Sequence, residues 1–362
     1  MSERIVVGMS GGVDSSVAAA LLVEDGVDVV GVTLRVWPWK ESTDAARRFG
    51  SCCSAETVDD ARSVARRLGI PYYLLNTEEA FDRDVINRFV SEYRDGRTPV
   101  PCVACNRDLK FGSLLRRALA WDAQAVATGH YARVTRDGAG RASLWKAVDP
   151  RKDQSDFLWP LTQTQLVGAR FPVGHLTKDE VREHARRLGL VTADKPESQE
   201  ICFIPDDDYR GFLQRRDPTV FRAGRIVDTT GALRGRHAGI ANFTVGQRRG
   251  LGLSEATARY VVDLDPETNT VVVGGAEDLE RDRLVATDVN FIAGVPPAGP
   301  IEVEAKIRHR HVPARATVEV NGDGTVTVAF AEPQRAITPG QSVVWYQGDL
   351  VIGGGVIARA TR

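Results

Sequence analysis

Hydrophobic and polar positions over the first 130 residues alternate between the periods of strands and helices. Arg4–Gly8 is a short apolar run that leads into a glycine-rich loop, and Val17, Ala20 and Leu21 follow at helical spacing. We predict further strands at 28–36, 72–75 and 125–128, and helices at 54–68, 78–94 and 106–120, with Ser54 as a helix cap. This alternation predicts an α/β fold with a mostly parallel sheet, helices on both faces, and ligands at the carboxyl ends of the strands.

The pattern changes after about residue 206, where helical periodicity fades. Short runs rich in β-branched and aromatic residues are separated there by Gly, Pro and Asn-Gly turn signals. They lie at 260–265, 270–273, 301–307, 325–330, 342–346 and 351–357. The pattern predicts an all-β region made of a small domain and a terminal barrel or sandwich.

Composition places the chain among folded, soluble proteins of two or three domains. It has 362 residues and is 43% hydrophobic and 26% charged. No apolar run reaches the roughly 18 residues needed to span a bilayer, and the N-terminus lacks the pattern of a signal peptide. We therefore expect a cytoplasmic protein with no membrane partner.

The net charge of −1 conceals two segments of opposite sign. Residues 209–259 contain ten Arg and three acidic residues, whereas 260–282 contain one Arg and seven acidic residues. The Arg-rich segment, which includes Arg248 and Arg249, is either a solvated face or a patch that contacts phosphates.

A glycine-rich loop, Gly8-Met-Ser-Gly-Gly-Val-Asp-Ser-Ser16, follows the first predicted strand and opens the first helix. Glycine N–H groups and a helix N-terminus can bind phosphate. The loop matches neither the P-loop pattern, because no Lys follows its glycines, nor the dinucleotide pattern. Its Ser-Gly-Gly-x-Asp-Ser string resembles the signature of ATP pyrophosphatases, which adenylate a substrate oxygen and release pyrophosphate. The alternative is a capped glycine turn. Asp14 is expected to hold Mg²⁺ or to orient the phosphates.

The five cysteines occur as the adjacent pair Cys52 and Cys53, the Cys-x-x-Cys pair Cys102 and Cys105, and the isolated Cys202. An adjacent pair is poor spacing for two ligands of one zinc ion, so a zinc site is disfavoured. Cys105 is expected at a helix N-terminus, where the dipole favours the thiolate. Two uses remain open: a reactive pair of distant thiols, or an iron–sulfur cluster held by Cys102, Cys105 and Cys202. Cys52 and Cys53 fit best as buried structural residues.

Several longer motifs carry a resemblance that runs through the whole chain. Besides the glycine loop they occupy 105–111, 127–131, 152–158, 198–203, 243–252, 335–341 and 353–355. In this order they resemble the tRNA-specific 2-thiouridylase family, bacterial enzymes that thiolate the wobble uridine of tRNA. The resemblance implies an ATP-pyrophosphatase domain at 1–205, a small central β-rich domain at 206–282 and a C-terminal β-barrel domain at 283–362.

The resemblance also implies substrates, partners and site residues. ATP would be bound, with Mg²⁺, by Gly8, Met9, Ser10, Gly11, Gly12, Val13, Asp14, Ser15, Leu34 and Gly129. Cys105 would be the nucleophile and Cys202 would carry a persulfide. The tRNA, from the Lys, Glu and Gln acceptor sets, would be contacted by Lys152, Asp153, Gln154, Arg308 and His309. A cysteine desulfurase or a sulfur-relay protein would supply the sulfur.

This chain departs from the family pattern at three positions. Val100 replaces an Asn in the loop before the nucleophile, and His309 replaces a Tyr. Cys102 stands where many members have an acidic residue assigned to proton transfer. Two alternative functions would not require the full set of motifs. One is that of an ATP-dependent synthetase acting on small molecules, and the other is that of an RNA-binding module that uses ATP only as a structural ligand.

Overall fold

The computed structural model describes residues 2–37, 55–196, 201–204, 207–253 and 257–361. Cys52, Cys53 and the predicted helix cap at Ser54 lie outside the described residues, as does the first half of the 198–203 motif.

The N-terminal part of the chain forms the predicted parallel sheet. Its strands are, in chain order, β1 (Arg4–Gly8), β2 (Asp28–Arg35), β3 (Tyr72–Asn76), β4 (Ala125–Thr128), β5 (Ala132–Arg136), β6 (Ala142–Lys146) and β7 (Ala169–Arg170). β3, β2, β1, β4 and β7 pair in that order, all parallel. The four strands predicted in this region are confirmed, with ends that move by at most one residue.

Helices cover both faces of this sheet. They are α1 (Val13–Glu24), α2 (Ala55–Leu68), α3 (Glu78–Phe81), α4 (Asn87–Arg94), α5 (Pro101–Ala104), α6 (Leu115–Ala120), α7 (Gln163–Val167), α8 (Lys178–Arg187) and α9 (Tyr209–Arg216). Successive side chains of a strand point to opposite faces. Ile5 and Val7 pack with α1, α2 and α8, whereas Val6 packs with the helical segment after Val103.

The helical segment that carries Cys102 and Cys105 begins earlier than predicted. It runs from Pro101 to Ala120, with a π-helical stretch over Cys105–Leu114, instead of starting at Asn106. Proline favours the first turn of a helix because its φ is already set and its missing N–H needs no partner there. The expectation that Cys105 lies at a helix N-terminus is therefore wrong; Cys102 occupies the first turn.

The second half of the chain is built from β-strands, as predicted. They are β8 (Gly224–Asp228), β9 (Leu233–His237), β10 (Tyr260–Asp265), β11 (Thr270–Gly274), β12 (Glu280–Phe291), β13 (Ile301–Lys306), β14 (Ala314–Val320), β15 (Val326–Arg335), β16 (Ser342–Gln347) and β17 (Leu350–Thr361). The central sheet has the order β10-β11-β8-β9. β12, β15, β14, β13, β16 and β17 form a ring that the β12–β17 pairing closes, which confirms a C-terminal barrel.

Two features of the β region were not anticipated. The sequence pattern does not predict β8, β9, β12 or β14. The first three are rich in charged or small residues, so their period-2 signal is weak, although Leu284 and Ala286 of β12 are fully buried in the barrel, whereas β14 alternates apolar and polar residues throughout. The hairpin β5–β6 of the N-terminal part extends the barrel sheet, because β6 pairs with β17 through Trp145 and Leu350. Among the described residues, no helix is both long and apolar enough to cross a membrane.

Candidate active site

A cavity of about 1290 Å³ opens at the carboxyl ends of β1, β2 and β4. β2 pairs with one side of β1 and β4 with the other, so the loops after these strands diverge at this point. A ligand crevice is expected at such a switch in strand order. The fold thus places a cavity where the sequence predicted one.

The glycine loop forms the floor of this cavity. The Met9 N–H donates to the carbonyl of Val32 (2.8 Å), and the Thr33 hydroxyl donates to the carbonyl of Met9 (2.6 Å), so the loop is tied to β2. The Ser10 N–H donates to Ser15 Oγ (3.1 Å). The first turn of α1 therefore meets the cavity, where its N-terminal dipole favours an anion.

Two glycines allow backbone contacts that a side chain would block. Gly11 has φ +73°, and a Cβ there would lie 2.1 Å from the carbonyl oxygen of Thr57 in α2. A Cβ on Gly129 would lie 2.5 Å from the backbone nitrogen of Ser15. The end of β4 and the start of α2 therefore enclose the loop closely from two sides.

Asp14 is the acidic residue of the loop and is already paired. Its Oδ1 accepts hydrogen bonds from the Tyr131 hydroxyl (2.7 Å) and from the Lys178 ammonium (2.6 Å), whose side chain is 7% exposed. Within the described part of the chain, Oδ2 makes no hydrogen bond. One carboxylate oxygen fits a Mg²⁺ ion, which typically takes one or two carboxylates and completes its shell with substrate phosphates and water.

A buried network links Cys105's helix to the end of β4. The Lys110 ammonium donates to Asn106 Oδ1 (2.9 Å) and lies 3.4 Å from Nε2 of His130. Burial and the charge of Lys110 lower the pKa of His130 well below its usual range. An ammonium only donates, so Nε2 accepts and Nδ1 carries the proton toward Thr128 Oγ1, 2.6 Å away. His130 is therefore a neutral, fixed wall of the cavity.

The structure brings the two proposed reactive cysteines into the same cavity. Cys105 and Cys202 are both half-buried, both line the cavity and both pack against one aromatic cluster. In that cluster Phe203 meets Phe81 and Phe89 edge to face, with ring centroids 5.5 and 5.3 Å apart. Cys102 also lines the cavity but is exposed. The cluster holds two distant segments of the chain together.

The loop 152–154 forms another wall and is held from within. Asp153 is buried, and it accepts hydrogen bonds from the N–H of Ala147 (3.0 Å) and the hydroxyl of Ser155 (2.9 Å); burial raises its pKa. Gln154 accepts from the Tyr131 N–H (3.0 Å), and its own N–H donates to the Tyr131 carbonyl (2.8 Å). These bonds fix the loop beside Asp14's partner Tyr131.

The barrel contributes a further wall through His309. Its Nδ1 lies 3.0 Å from Oδ2 of the buried Asp156, and its ring lies 4.8 Å from that of Phe157. Lys306 also pairs with Asp156 (3.3 Å). Arg308 does not line the cavity; its guanidinium donates to the carbonyl of Arg335 (3.2 Å).

The cavity is strongly basic although the protein as a whole is not. Its described lining contains nine Lys or Arg and three Asp, a net charge of +6 with neutral histidines, against −1 for the chain. None of the described residues of the Arg-rich segment 209–259 contributes to it. A basic concave surface beside a phosphate loop suits a polyanion larger than ATP alone.

Comparison with known proteins matches each part of the chain. The family model "tRNA methyl transferase HUP domain" matches residues 3–206, "tRNA methyl transferase PRC-barrel domain" matches 210–275, and "Aminomethyltransferase beta-barrel domain" matches 281–357. The tRNA-specific 2-thiouridylase MnmA of Heliobacterium modesticaldum is 52% identical over 99% of this chain and 93% of its own length. The enzyme of the same name from Carboxydothermus hydrogenoformans is 51% identical over 99% and 98%.

The chain belongs to the tRNA-specific 2-thiouridylase family of enzymes. Among solved structures, a 4-thiouridine synthetase in complex with RNA and ATP is 18% identical, covering 60% of this chain and 50% of that one with a TM-score of 0.34. The full-length relatives and the matching family model confirm, at the level of the family, the resemblance that the sequence motifs carry.

The family's expected residues gather closely in this structure. The cavity is lined by Gly8, Met9, Ser10, Gly11, Gly12, Val13, Asp14, Ser15, Leu34, Gly129, Cys105, Cys202, Lys152, Asp153, Gln154 and His309. Arg308 is the one expected residue outside the lining. Placement in the cavity leaves their individual roles as predictions.

Lys110, Lys178 and Lys195 line the cavity but were not singled out from sequence. Lys178 pairs with Asp14, Lys110 lies beside His130, and Lys195 pairs with Asp60 and donates to the carbonyl of Gly11 (3.1 Å). Lys110 follows Cys105 by five residues, a spacing that the π-helix places on one face. Lys178 and Lys195 lie outside the family motifs considered above, and only the fold brings them to the loop.

The proposed iron–sulfur site has no support in the geometry. The described residues contain no group of three His, Cys, Asp or Glu side chains placed to share a metal ion. In this structure Cys102, Cys105 and Cys202 are therefore not placed to hold one cluster.

Proposed function

We propose that the protein catalyses the ATP-dependent 2-thiolation of the wobble uridine of tRNA, by adenylation of the C2 oxygen and sulfur transfer from a cysteine persulfide. The observation that carries this proposal is the shared cavity, in which a phosphate loop, Cys105 and Cys202 lie within one strongly basic lining. The substrates would be the tRNAs for Lys, Glu and Gln. A cysteine desulfurase or a sulfur-relay protein would deliver the sulfur.

In the first step the C2 oxygen of uridine attacks the α-phosphorus of ATP. An O–P bond forms, the bond to the β-phosphate breaks, and pyrophosphate leaves. The loop N–H groups and the N-terminus of α1 stabilise the charge that develops on the phosphate oxygens. Lys178 holds Asp14 in place through their 2.6 Å ion pair. Oδ2 of Asp14 would hold Mg²⁺, which neutralises phosphate charge when bound.

In the second step the terminal sulfur of a Cys202 persulfide attacks C2, and AMP leaves. The Cys105 thiolate then attacks Sγ of Cys202, so that the S–S bond breaks and the sulfur stays on C2. Cys105 and Cys202 become a disulfide, and their oxidation balances the reduction of the transferred sulfur. An external dithiol must reopen that disulfide before the next turnover. In a variant order, Cys105 first releases the sulfur as sulfide, with the same balance.

The test is thiolation by Cys105→Ser and Cys202→Ser, measured by mass spectrometry of tRNA nucleosides. We expect both variants to lose 2-thiouridine formation while binding ATP within about two-fold of the wild type, since neither residue belongs to the glycine loop. Thiolation at the wild-type rate by either variant would contradict these roles.

The same variants separate the two orders of sulfur transfer. If the persulfide attacks first, Cys105→Ser loaded with sulfur accumulates tRNA joined to Cys202 through a disulfide, visible on a non-reducing gel. If sulfide is released first, no such adduct forms. Pyrophosphate release that requires tRNA, and does not respond to small amines, distinguishes this function from that of a small-molecule synthetase.

A further inference from the structure

The loop that leads into the cysteine-bearing helix is the place where all three parts of the protein meet. It runs from Asp95 to Val100, between α4 and α5, and we call it the junction loop. Gly96 within it has φ +66° and faces Ile240 and Leu264 of the central domain, with a Cβ position 3.5 Å from each. At its other end, Val100 is separated from Cys102 by Pro101 alone.

The barrel holds the backbone of Thr98 in this loop on both sides. The Thr98 N–H donates to the carbonyl of Pro339 (2.9 Å), and Nε2 of Gln341 donates to the carbonyl of Thr98 (2.8 Å). Gly340 has φ +90°, and a Cβ there would lie 2.7 Å from the nitrogen of Thr98. The barrel segment therefore approaches the loop as closely as backbone can approach backbone.

The central domain reaches the same residue. The Thr98 hydroxyl lies 3.2 Å from the hydroxyl of Thr244. Between the central domain and the barrel, Ala336 adopts a left-handed φ of 56°, and a Cβ on Gly246 would lie 2.9 Å from the Ala336 Cβ. A non-glycine residue persists in that conformation only where its surroundings enforce it.

The barrel side of the contact is anchored to its own sheet. The Gly340 N–H donates to the carbonyl of Ile357 in β17 (2.8 Å), and the Ile357 N–H donates to the carbonyl of Gln341 (2.8 Å). Gln341 thus extends from a closed barrel and has little freedom to follow a loop that moves. Any shift of the barrel relative to the parallel sheet is transmitted to Thr98.

We propose that Gln341 and Thr244 are positioning residues for Cys105, and that docking of the barrel and the central domain on the junction loop sets the place of the nucleophile. This gives Thr244 and Gln341, which lie in the motif segments 243–252 and 335–341, a role in domain docking. The proposal rests on the proposed function only for its turnover measurement.

The position of the loop in the chain explains how the effect reaches the thiol. Pro99 and Pro101 flank Val100, so the three residues between Thr98 and Cys102 have few accessible backbone conformations. A displacement of Thr98 therefore moves the first turn of α5 as a unit, and Cys105 begins the next turn. Cys202 lies on another segment of the chain.

The test compares Gln341→Ala and Thr244→Val with Gln347→Ala in the full-length protein. Gln347 also donates its side-chain N–H to a backbone carbonyl, that of Glu302 (3.1 Å), but does so within the barrel. The first readout is independent of turnover: the rates at which iodoacetamide alkylates Cys105 and Cys202, resolved by peptide mass spectrometry.

We expect Gln341→Ala to change the Cys105 to Cys202 alkylation ratio by at least about three-fold, and to lower kcat for thiolation by about 5- to 10-fold, because catalysis depends on sub-ångström placement of a nucleophile. KM for ATP should stay within about two-fold, and Thr244→Val should act in the same direction. Gln347→Ala should leave the ratio and kcat unchanged.

Two results would overturn the proposal. One is an alkylation ratio equal to that of the wild type in both Gln341→Ala and Thr244→Val, which would show that the contacts do not place the thiol. The other is an unchanged kcat with a raised KM for tRNA, which would make these segments RNA contacts. A wild-type protein that thiolates no tRNA would refute the proposed function alone, since the alkylation ratio would still be measurable.

Discussion

Gly11 offers a test of whether the glycine loop owes its shape to close contact with α2. A Cβ at this position would lie 2.1 Å from the carbonyl oxygen of Thr57, whereas real Cβ atoms essentially never approach closer than 3.0 Å. Gly11→Ala therefore requires the loop and α2 to separate by about 0.9 Å. The clash joins a Cβ atom to a backbone carbonyl oxygen, and neither atom moves when a side-chain torsion changes, so no rotamer change can relieve it.

The matched control is Gly26→Ala, which lies just after α1. Gly26 has φ +76°, close to the +73° of Gly11, but a Cβ there would have no atom within 4 Å. Both substitutions impose the left-handed conformation on an L-residue, at about 1–2 kcal/mol. Only Gly11→Ala adds the clash, so the difference between the two variants isolates it.

We expect Gly26→Ala to bind ATP like the wild type and to unfold a few degrees lower, since about 1 kcal/mol shifts Tm by about 2–4 °C in a domain of this size. Gly11→Ala should weaken ATP binding by at least about ten-fold, because phosphate-binding N–H groups would move by nearly 1 Å. Calorimetric titration with ATP and thermal unfolding measure both effects. If Gly11→Ala binds ATP within two-fold of Gly26→Ala, the reasoning from close contact is refuted.

Three further predictions concern charge. Lys178→Met should lower kcat/KM for ATP by at least about ten-fold, because it removes the buried partner of the Asp14 carboxylate. Arg248→Ala combined with Arg249→Ala should weaken tRNA binding and reduce the slope of log K against log salt by about 1.5 if each contacts one phosphate. Hydrogen bonds from Arg151 lower the pKa of Asp149 from 3.8 to about 2. A depressed pKa stabilises the fold above the unfolded value, so this contribution should be lost as pH falls from about 4 to about 2, and the deficit of Asp149→Asn in free energy of unfolding should shrink over that range.

The control for Lys178→Met is Arg187→Met, which removes an exposed ion pair with Glu24 and should leave ATP kinetics unchanged. An unchanged salt slope would exclude the two arginines as phosphate contacts. A deficit of Asp149→Asn that stays constant from pH 4 to pH 2 in chemical denaturation would show that its ionisation does not stabilise the fold.

The sequence anticipated elements whose pattern is local. β1 to β4 were predicted within one residue because buried parallel strands are continuous apolar runs, and the glycine loop carries its own signature. The sequence pattern does not predict β12, although Leu284 is fully buried, because the first four residues of this strand, 280–283, are all charged. The pattern predicts that the helical segment next to Cys105 begins at Asn106, whereas Pro101 opens it, because proline is tolerated in the first turn of a helix.

By itself the sequence determined the parallel-sheet domain, the barrel-forming β region and the family, whereas the roles of Cys105 and Cys202 stay predictions. Only the tertiary structure decided that Lys178 and Lys195 converge on the glycine loop, that Lys110 lies beside His130 in the same cavity, and that the basic surface of the cavity lies outside the Arg-rich segment. Charge and hydrogen bonding act through space, whereas sequence patterns report neighbours along the chain. A cavity of net charge +6 in a protein of net charge −1 is a property of the fold.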